Sequence, residues 1–299
     1  MRIWAVAYLF WGMLCWGADP ASELARAGQS PAALESFVGE HWAFDWAPLW
    51  QALGITGAVH LPACADRANG SDCSAHLISI RQPEQTIVLL RHEPSHQEVY
   101  LRFLAEPPGG WRFAGHYQPR VANAPGEHRT VWLGEKPHLA VMDAAASRKQ
   151  ETWLDLTQPE MRPVFRYTVE GESAGGPVSR RVRGKVVAQQ AEPVESITVK
   201  YSVEFRADAG ALRLGQREDE VVYTRQSGGG FVLDARAKRL YEDLDTGLSN
   251  EEFLRDDLGP LRGIAAGPVT AEKRWLRDFL PQCGDTAENR QVSAALQAR

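Results

Sequence analysis

The chain has 299 residues, of which 44% are hydrophobic and 24% charged. That balance excludes wholesale disorder, collagen and coiled coil, and the length allows one large domain or two small ones. The formal charge of −5 argues against a dedicated nucleic-acid binder, which is usually basic.

The first element is a targeting segment. Arg2 precedes twelve uncharged residues, Ile3 to Leu14, and the small residues Gly17 and Ala18 close the run before Asp19-Pro20. A single charge, a short apolar stretch and a small-residue exit predict a secretory signal peptide over residues 1–18. The stretch falls short of the ~20 residues of a membrane span, and no later stretch is apolar enough to make one. The expected location is therefore secreted or periplasmic. In such an oxidising compartment Cys64 and Cys73, which bracket a polar Asn69-Gly70 turn, are expected to form a disulfide. Cys283 is then the odd thiol. Asn69-Gly70-Ser71 also matches a glycosylation acceptor, a match that polar turns produce by chance. No second Cys or His pair lies at zinc-ligand spacing, and no cofactor is expected.

Residues 19–125 are expected to hold N-terminal helices and a small antiparallel sheet. Ser30-Pro31 reads as a helix start. Trp42, Trp46 and Trp50 follow at i, i+4 and i+8, a spacing that stacks three indoles on one helical face against a sheet, with Pro48 breaking the helix. Strand-like runs follow at Leu77–Ile80, Thr86–Leu90 and Val99–Leu104, and Pro107-Pro108-Gly109-Gly110 turns the chain into Trp111–Tyr117.

Residues 126–245 read as an antiparallel meander. Ile197, Val199, Tyr201, Val203 and Phe205 alternate with Thr198, Lys200, Ser202 and Glu204, which predicts a strand with one wet face. Val164–Glu170, Val182–Gln189, Leu212–Gly215, Val221–Arg225 and Phe231–Asp234 are weaker strand candidates around it. Residues 246–299 should be helical: Ser249-Asn250-Glu251-Glu252 is a capping box, and Thr270 caps the stretch from Ala271 to Leu280. Both strand-rich regions contain a Gly-Gly-aromatic turn, Gly109-Gly110-Trp111 and Gly229-Gly230-Phe231.

Two catalytic motifs match in letters only. Gly171-Glu172-Ser173-Ala174-Gly175 resembles the nucleophile elbow of the α/β-hydrolase family. That mechanism needs a strand-to-helix turn and a histidine downstream, yet all eight histidines lie between His41 and His138. His92-Glu93-Pro94-Ser95-His96 resembles the zinc motif of zincin metallopeptidases. There both histidines sit on one helix, and Pro94 inside it would cost ~3 kcal/mol. The basic cluster Arg180–Lys185 is expected on a solvated strand face opposite Glu192 and Glu195. Asp243–Gly247 lacks the closing acid of a calcium loop.

The expected fold class is α+β, dominated by antiparallel sheet with N- and C-terminal helices packed on it. The expected role is non-enzymatic binding or scaffolding in the cell envelope, with no catalytic, cofactor or metal residue assigned. Its sharper form is an apolar-ligand carrier, because long meanders capped by helices form half-barrels. The rival is a secreted hydrolase, either a serine esterase using Ser173 or a metallopeptidase using His92 and His96.

Overall fold

The computed structural model describes residues 19–57, 59–67, 70–80, 84–119, 127–145, 147–158, 160–173, 178–190, 193–207 and 211–298. The expected signal segment (residues 1–18), Asn69, Gly175 of the serine motif, and Glu192 lie outside the described residues. Among the described residues no helix is long and apolar enough to cross a membrane.

Three helices open the structure: α1 (Pro20–Ala27), α2 (Pro31–Glu40) and α3 (Ala47–Ala52). A small ribbon, β1 (Asp66–Arg67) with β2 (Gly70–Ser71), leads into a four-stranded antiparallel sheet. Its strands β3 (Cys73–Ile80), β4 (Gln85–His92), β5 (Gln97–Glu106) and β6 (Gly110–Tyr117) pair in chain order. The second sheet has eight strands, again in chain order: β7 (His128–Leu133), β8 (Lys136–Ala145), β9 (Arg148–Asp155), β10 (Arg162–Glu172), β11 (Ser179–Gln190), β12 (Ser196–Ala207), β13 (Leu212–Arg225) and β14 (Phe231–Val232). Helices α4 (Ala235–Tyr241), α5 (Asn250–Asp256), α6 (Leu258–Ala266), α7 (Ala271–Phe279) and α8 (Ala287–Gln297) close the chain, with a 3₁₀ turn at Leu280–Gln282. This is the α+β architecture expected from the sequence.

Burial arranges these elements as four layers. Leu34, Phe37 and Leu49 of the N-terminal helices share a core with Val88, Leu90, Val99 and Leu101. The opposite face of the same strands, Ile87, Leu89 and Tyr100, packs on Leu139, Val141 and Leu154 of the large sheet. The far side of the large sheet, from Trp153 and Phe165 through Tyr201 and Tyr223, packs on Tyr241, Phe253, Leu276 and Phe279. Strands β4 and β5 are therefore covered on both faces, which accounts for their unbroken apolar runs.

Strand β12 keeps the expected register. Ile197, Val199, Tyr201, Val203 and Phe205 are buried, and Lys200, Ser202 and Glu204 are partly exposed. Thr198 departs from the pattern: it is buried, paired across the ladder with Ala188 and Val222. Gly184 faces Tyr201, whose ring would lie 2.5 Å from an added Cβ, so only glycine admits the ring there.

Three local expectations are corrected. The tryptophans do not share a helical face. Phe44 bridges to Cys64 in extended conformation and α3 starts only at Ala47, so Trp42 precedes the helix and is 57% exposed. Trp46 is buried, donates to the Pro62 carbonyl (2.9 Å) and stacks on Trp50. Leu212–Gly215 and Val221–Arg225 are one strand, because the charged residues between them are satisfied: Arg217 pairs with Asp219 (2.7 Å) and Asp257 (3.0 Å). Arg180 is fully buried rather than solvated, while Arg181 and Arg183 pair with Glu170 on the neighbouring strand. The Arg180 guanidinium donates to the carbonyls of Arg239 (3.1 Å), Leu240 (2.9 Å) and Thr246 (3.2 Å), closing the C-terminal end of α4.

Candidate functional site

The large sheet coils as it proceeds, so strands far apart in order meet at one end. Gln189 at the end of β11 donates to the Trp132 carbonyl of β7 (2.9 Å). Phe231 of β14 comes within 6.2 Å of Phe165 on β10. The C-terminal helices fill the concave face over most of its length but not at this end. What remains is a cavity of about 620 Å³, bordered by the ends of β7–β10, the β11–β12 connection and the Ser227–Gly229 turn. It opens as a mouth at the end of the coiled sheet, and no residue of the C-terminal helices lines it.

Its floor is apolar, built from Leu133, Val164, Val194 and Phe231. Its rim is charged: Lys136, Arg162 and Arg225 against Glu135 and Asp155. The side chains of Lys136 and Arg162 have no hydrogen-bond or ion-pair partner among the described residues, and Arg225 donates one long bond to the Val194 carbonyl (3.3 Å). The Asp155 carboxylate is committed locally, accepting from the Thr157 N–H and hydroxyl at 2.7 Å each. His138 lies buried in the wall with Nδ1 3.0 Å from the Lys136 carbonyl, so Nδ1 carries the proton and Nε2 is the lone-pair nitrogen. Burial pushes its pKa down and keeps the ring neutral at pH 7. The Glu135 side chain likewise has no partner among the described residues, so the rim sets three cations against two carboxylates.

A second polar cluster sits at the opposite region, on the tip between β4 and β5. His92 ends β4 and Glu93–His96 form a four-residue turn, so the H-E-x-x-H letters span a hairpin and not a helix. The imidazole is buried and bridges two side chains: Nδ1 lies 2.7 Å from the Ser95 hydroxyl and Nε2 3.4 Å from the Asp72 carboxylate. Asp72 also accepts from the Ala65 N–H (2.8 Å), and its carbonyl accepts from the Glu93 N–H (2.8 Å). His96, with φ of 52°, is not among the partners of His92. Beside this cluster Cys64 and Cys73 form the expected disulfide, with Cα atoms 5.6 Å apart. Ribbon, disulfide and hairpin tip are thus clasped together.

Ser173 lies elsewhere. It is buried in the β10–β11 hairpin, its hydroxyl accepting from the Arg180 N–H (3.0 Å) while its own N–H donates to the Arg180 carbonyl (2.9 Å). No imidazole is among its partners. Cys283 is a buried free thiol pushed up to about 11 by burial.

Sequence reasoning missed the mouth because its residues come from five separate segments. The one available signal was the Gly-Gly-aromatic turn, since Gly229 and Phe231 both border the cavity. Asp72 and Ser95 carried no signal, because their roles depend on the β3–β4 register that sets Cys73 opposite His92. No protein-family model matches the chain, and no curated protein or solved structure is significantly similar to it.

Proposed function

We propose that this is a non-enzymatic binding protein of the cell envelope, and that it carries an apolar ligand with an anionic end in the mouth of the coiled sheet. One observation carries the reading: the coiled sheet is packed by its own helices except at this end, where an apolar floor lies below two cationic side chains with no partner among the described residues. An apolar chain on Leu133, Val164 and Phe231 gains ~25 cal/mol per Å² buried. A carboxylate or phosphate at the rim gives Lys136 and Arg162 the counter-charge they lack. The disulfide fits an oxidising compartment.

Titration with a fluorescent single-chain anionic amphiphile, dansyl-undecanoate, tests this directly. Saturable 1:1 binding is expected, weakened at least tenfold by Lys136→Glu combined with Arg162→Glu. Absence of saturation, or equal affinity in the charge-reversed variant, overturns the reading.

The hydrolase alternative has one specific observation in its favour, the Ser95–His92–Asp72 contact chain, which sets a hydroxyl, an imidazole and a carboxylate in line. Its hydroxyl and base lie only three residues apart in one tight turn, and Ser173 has no base among the described residues. Labelling by a fluorophosphonate, abolished in Ser95→Ala and His92→Ala, would establish that alternative; the binding reading expects no labelling.

A further inference from the structure

The other Gly-Gly-aromatic turn borders a cavity too. Gly109, Gly110 and Trp111, on the β5–β6 connection, line a recess of about 630 Å³ together with Leu104, Ala105 and Pro107, with Glu84, Glu106 and Arg112 at its edges. Both turns hold their first glycine at positive φ, 97° at Gly109 and 85° at Gly229. The two cavities share Thr157 and Gln158, so they lie on either side of one short saddle.

The saddle is held from both sides. From the small sheet, the buried Arg102 guanidinium donates to the carbonyls of Leu156 and Gln158, while its Nε donates to Gln85 (2.6 Å). From the mouth, the Asp155 carboxylate holds the N–H and hydroxyl of Thr157. A hydrogen-bonded saddle with the exposed polar residues Thr157 and Gln158 at its top thus separates two recesses, each with apolar lining and a charged edge.

From this arrangement we infer that the ligand has two apolar chains joined through an anionic head: one chain in each recess, the head across the saddle within reach of Arg162. The inference rests on the binding reading above and narrows its ligand class to two-chain anionic lipids. A single long chain bridging both recesses would lay hydrocarbon on the saddle and strip water from its polar groups without replacing their hydrogen bonds. A two-chain amphiphile puts its own polar linkage there. Each recess alone is of the ~300–1,000 Å³ size that suits one small ligand, and among the described residues both cations of the second are committed, Arg112 to Glu106 (2.6 Å) and Arg102 to the saddle carbonyls. Only one head is therefore accommodated, at the first rim.

Two glycines allow each recess to be blocked from its turn. An added Cβ at Gly228 meets nothing within 4 Å, and at Gly110 nothing closer than 3.7 Å. The probes are dansyl-undecanoate and a fluorescent dioctanoyl phosphatidylglycerol, both below their critical micelle concentrations. Wild-type protein is expected to bind the two-chain probe at least tenfold more tightly. Gly110→Trp should erase that advantage and leave the one-chain probe within twofold, whereas Gly228→Trp should weaken both. Ala105→Phe repeats the second-recess block should Gly110→Trp fail to melt like wild type. Equal wild-type affinity for the two probes overturns the two-chain inference, as does an unchanged two-chain affinity in the blocked variants; the mouth reading then stands on its own probe. Failure of the one-chain probe to saturate wild type overturns the mouth reading itself.

Discussion

The two sheets follow one plan, a meander whose strands pair only with their chain neighbours, yet they treat water differently. The small sheet is sandwiched: helices cover one face, the large sheet covers the other, and Tyr100 and Leu101 are both fully buried although they point in opposite directions. The large sheet is covered twice only along β7–β10. From β11 to β13 its outer face carries ion pairs such as Lys200–Glu218 (2.6 Å) and Glu204–Arg213 (3.1 Å). Strand chemistry follows coverage: an unbroken apolar run where both faces are dry, alternation where one is wet.

The sharpest break of this comparison is a truncation series. Tyr100→Ala should cost roughly 3–5 kcal/mol and Leu101→Ala roughly 2–5, so adjacent positions in the small sheet are both expensive. Tyr201→Ala should also cost roughly 3–5 kcal/mol, since its ring stacks on Tyr241 (4.5 Å) and its hydroxyl meets Tyr223 (2.7 Å). Denaturant melts measure all three. A cheap change at either Tyr100 or Leu101 would mean that one face of the small sheet is wet.

Acid–base behaviour separates the regions next. Asp257, under the large sheet, is pushed up to about 7 by burial, which outweighs its ion pair with Arg217; its second oxygen has no partner among the described residues. The folded state then holds this proton between pH ~4 and 7 after the unfolded chain has released it. Stability should fall across that window, by on the order of 2–4 kcal/mol, and level off above it. Asp257→Asn should flatten the slope. Glu252, held near 2 by its capping bonds to Ser249, works in the opposite sense, losing its contribution as pH falls from ~4 towards 2. Urea melts at half-unit pH steps should therefore peak near pH 4–5 if these two groups dominate.

The disulfide distinguishes the regions by a smaller amount. Replacing Cys64 and Cys73 by serine should cost roughly 2–3 kcal/mol on the chain-entropy account of a loop this short. Hydrogen exchange should speed up at the β4–β5 tip and stay unchanged in β12; uniform acceleration would mean that the sheets unfold as one unit. The smallest effect belongs to the wet face. Lys200→Ala should leave the denaturant midpoint where it is, and a measurable drop would place that face in contact with something.

How far each part could be read from sequence follows the same division. The alternation in β12 and the capping box at Ser249 are local signals, and both appear where expected. The tryptophan spacing also looked local, but the Phe44–Cys64 bridge took Trp42 out of the helix. Arg180 read as a solvated charge because its three carbonyl partners lie about sixty residues downstream. The mouth depends on the coiling of eight strands, and no window of sequence holds that information.

The strict chain order of both sheets bears on how this protein reaches its native state. Every strand has its ladder partner one connection away, so each pairing closes a short loop, and the entropy lost per step stays small. Sheet growth can proceed by adding one hairpin arm at a time, in the direction in which the polypeptide emerges. The slow event is then expected to be the seating of one finished sheet on the other through Ile87, Leu89, Leu139 and Val141, rather than any search for distant partners. Until that seating the two-sided strands β4 and β5 keep an oily face uncovered, and this interval is when the chain is most prone to aggregate.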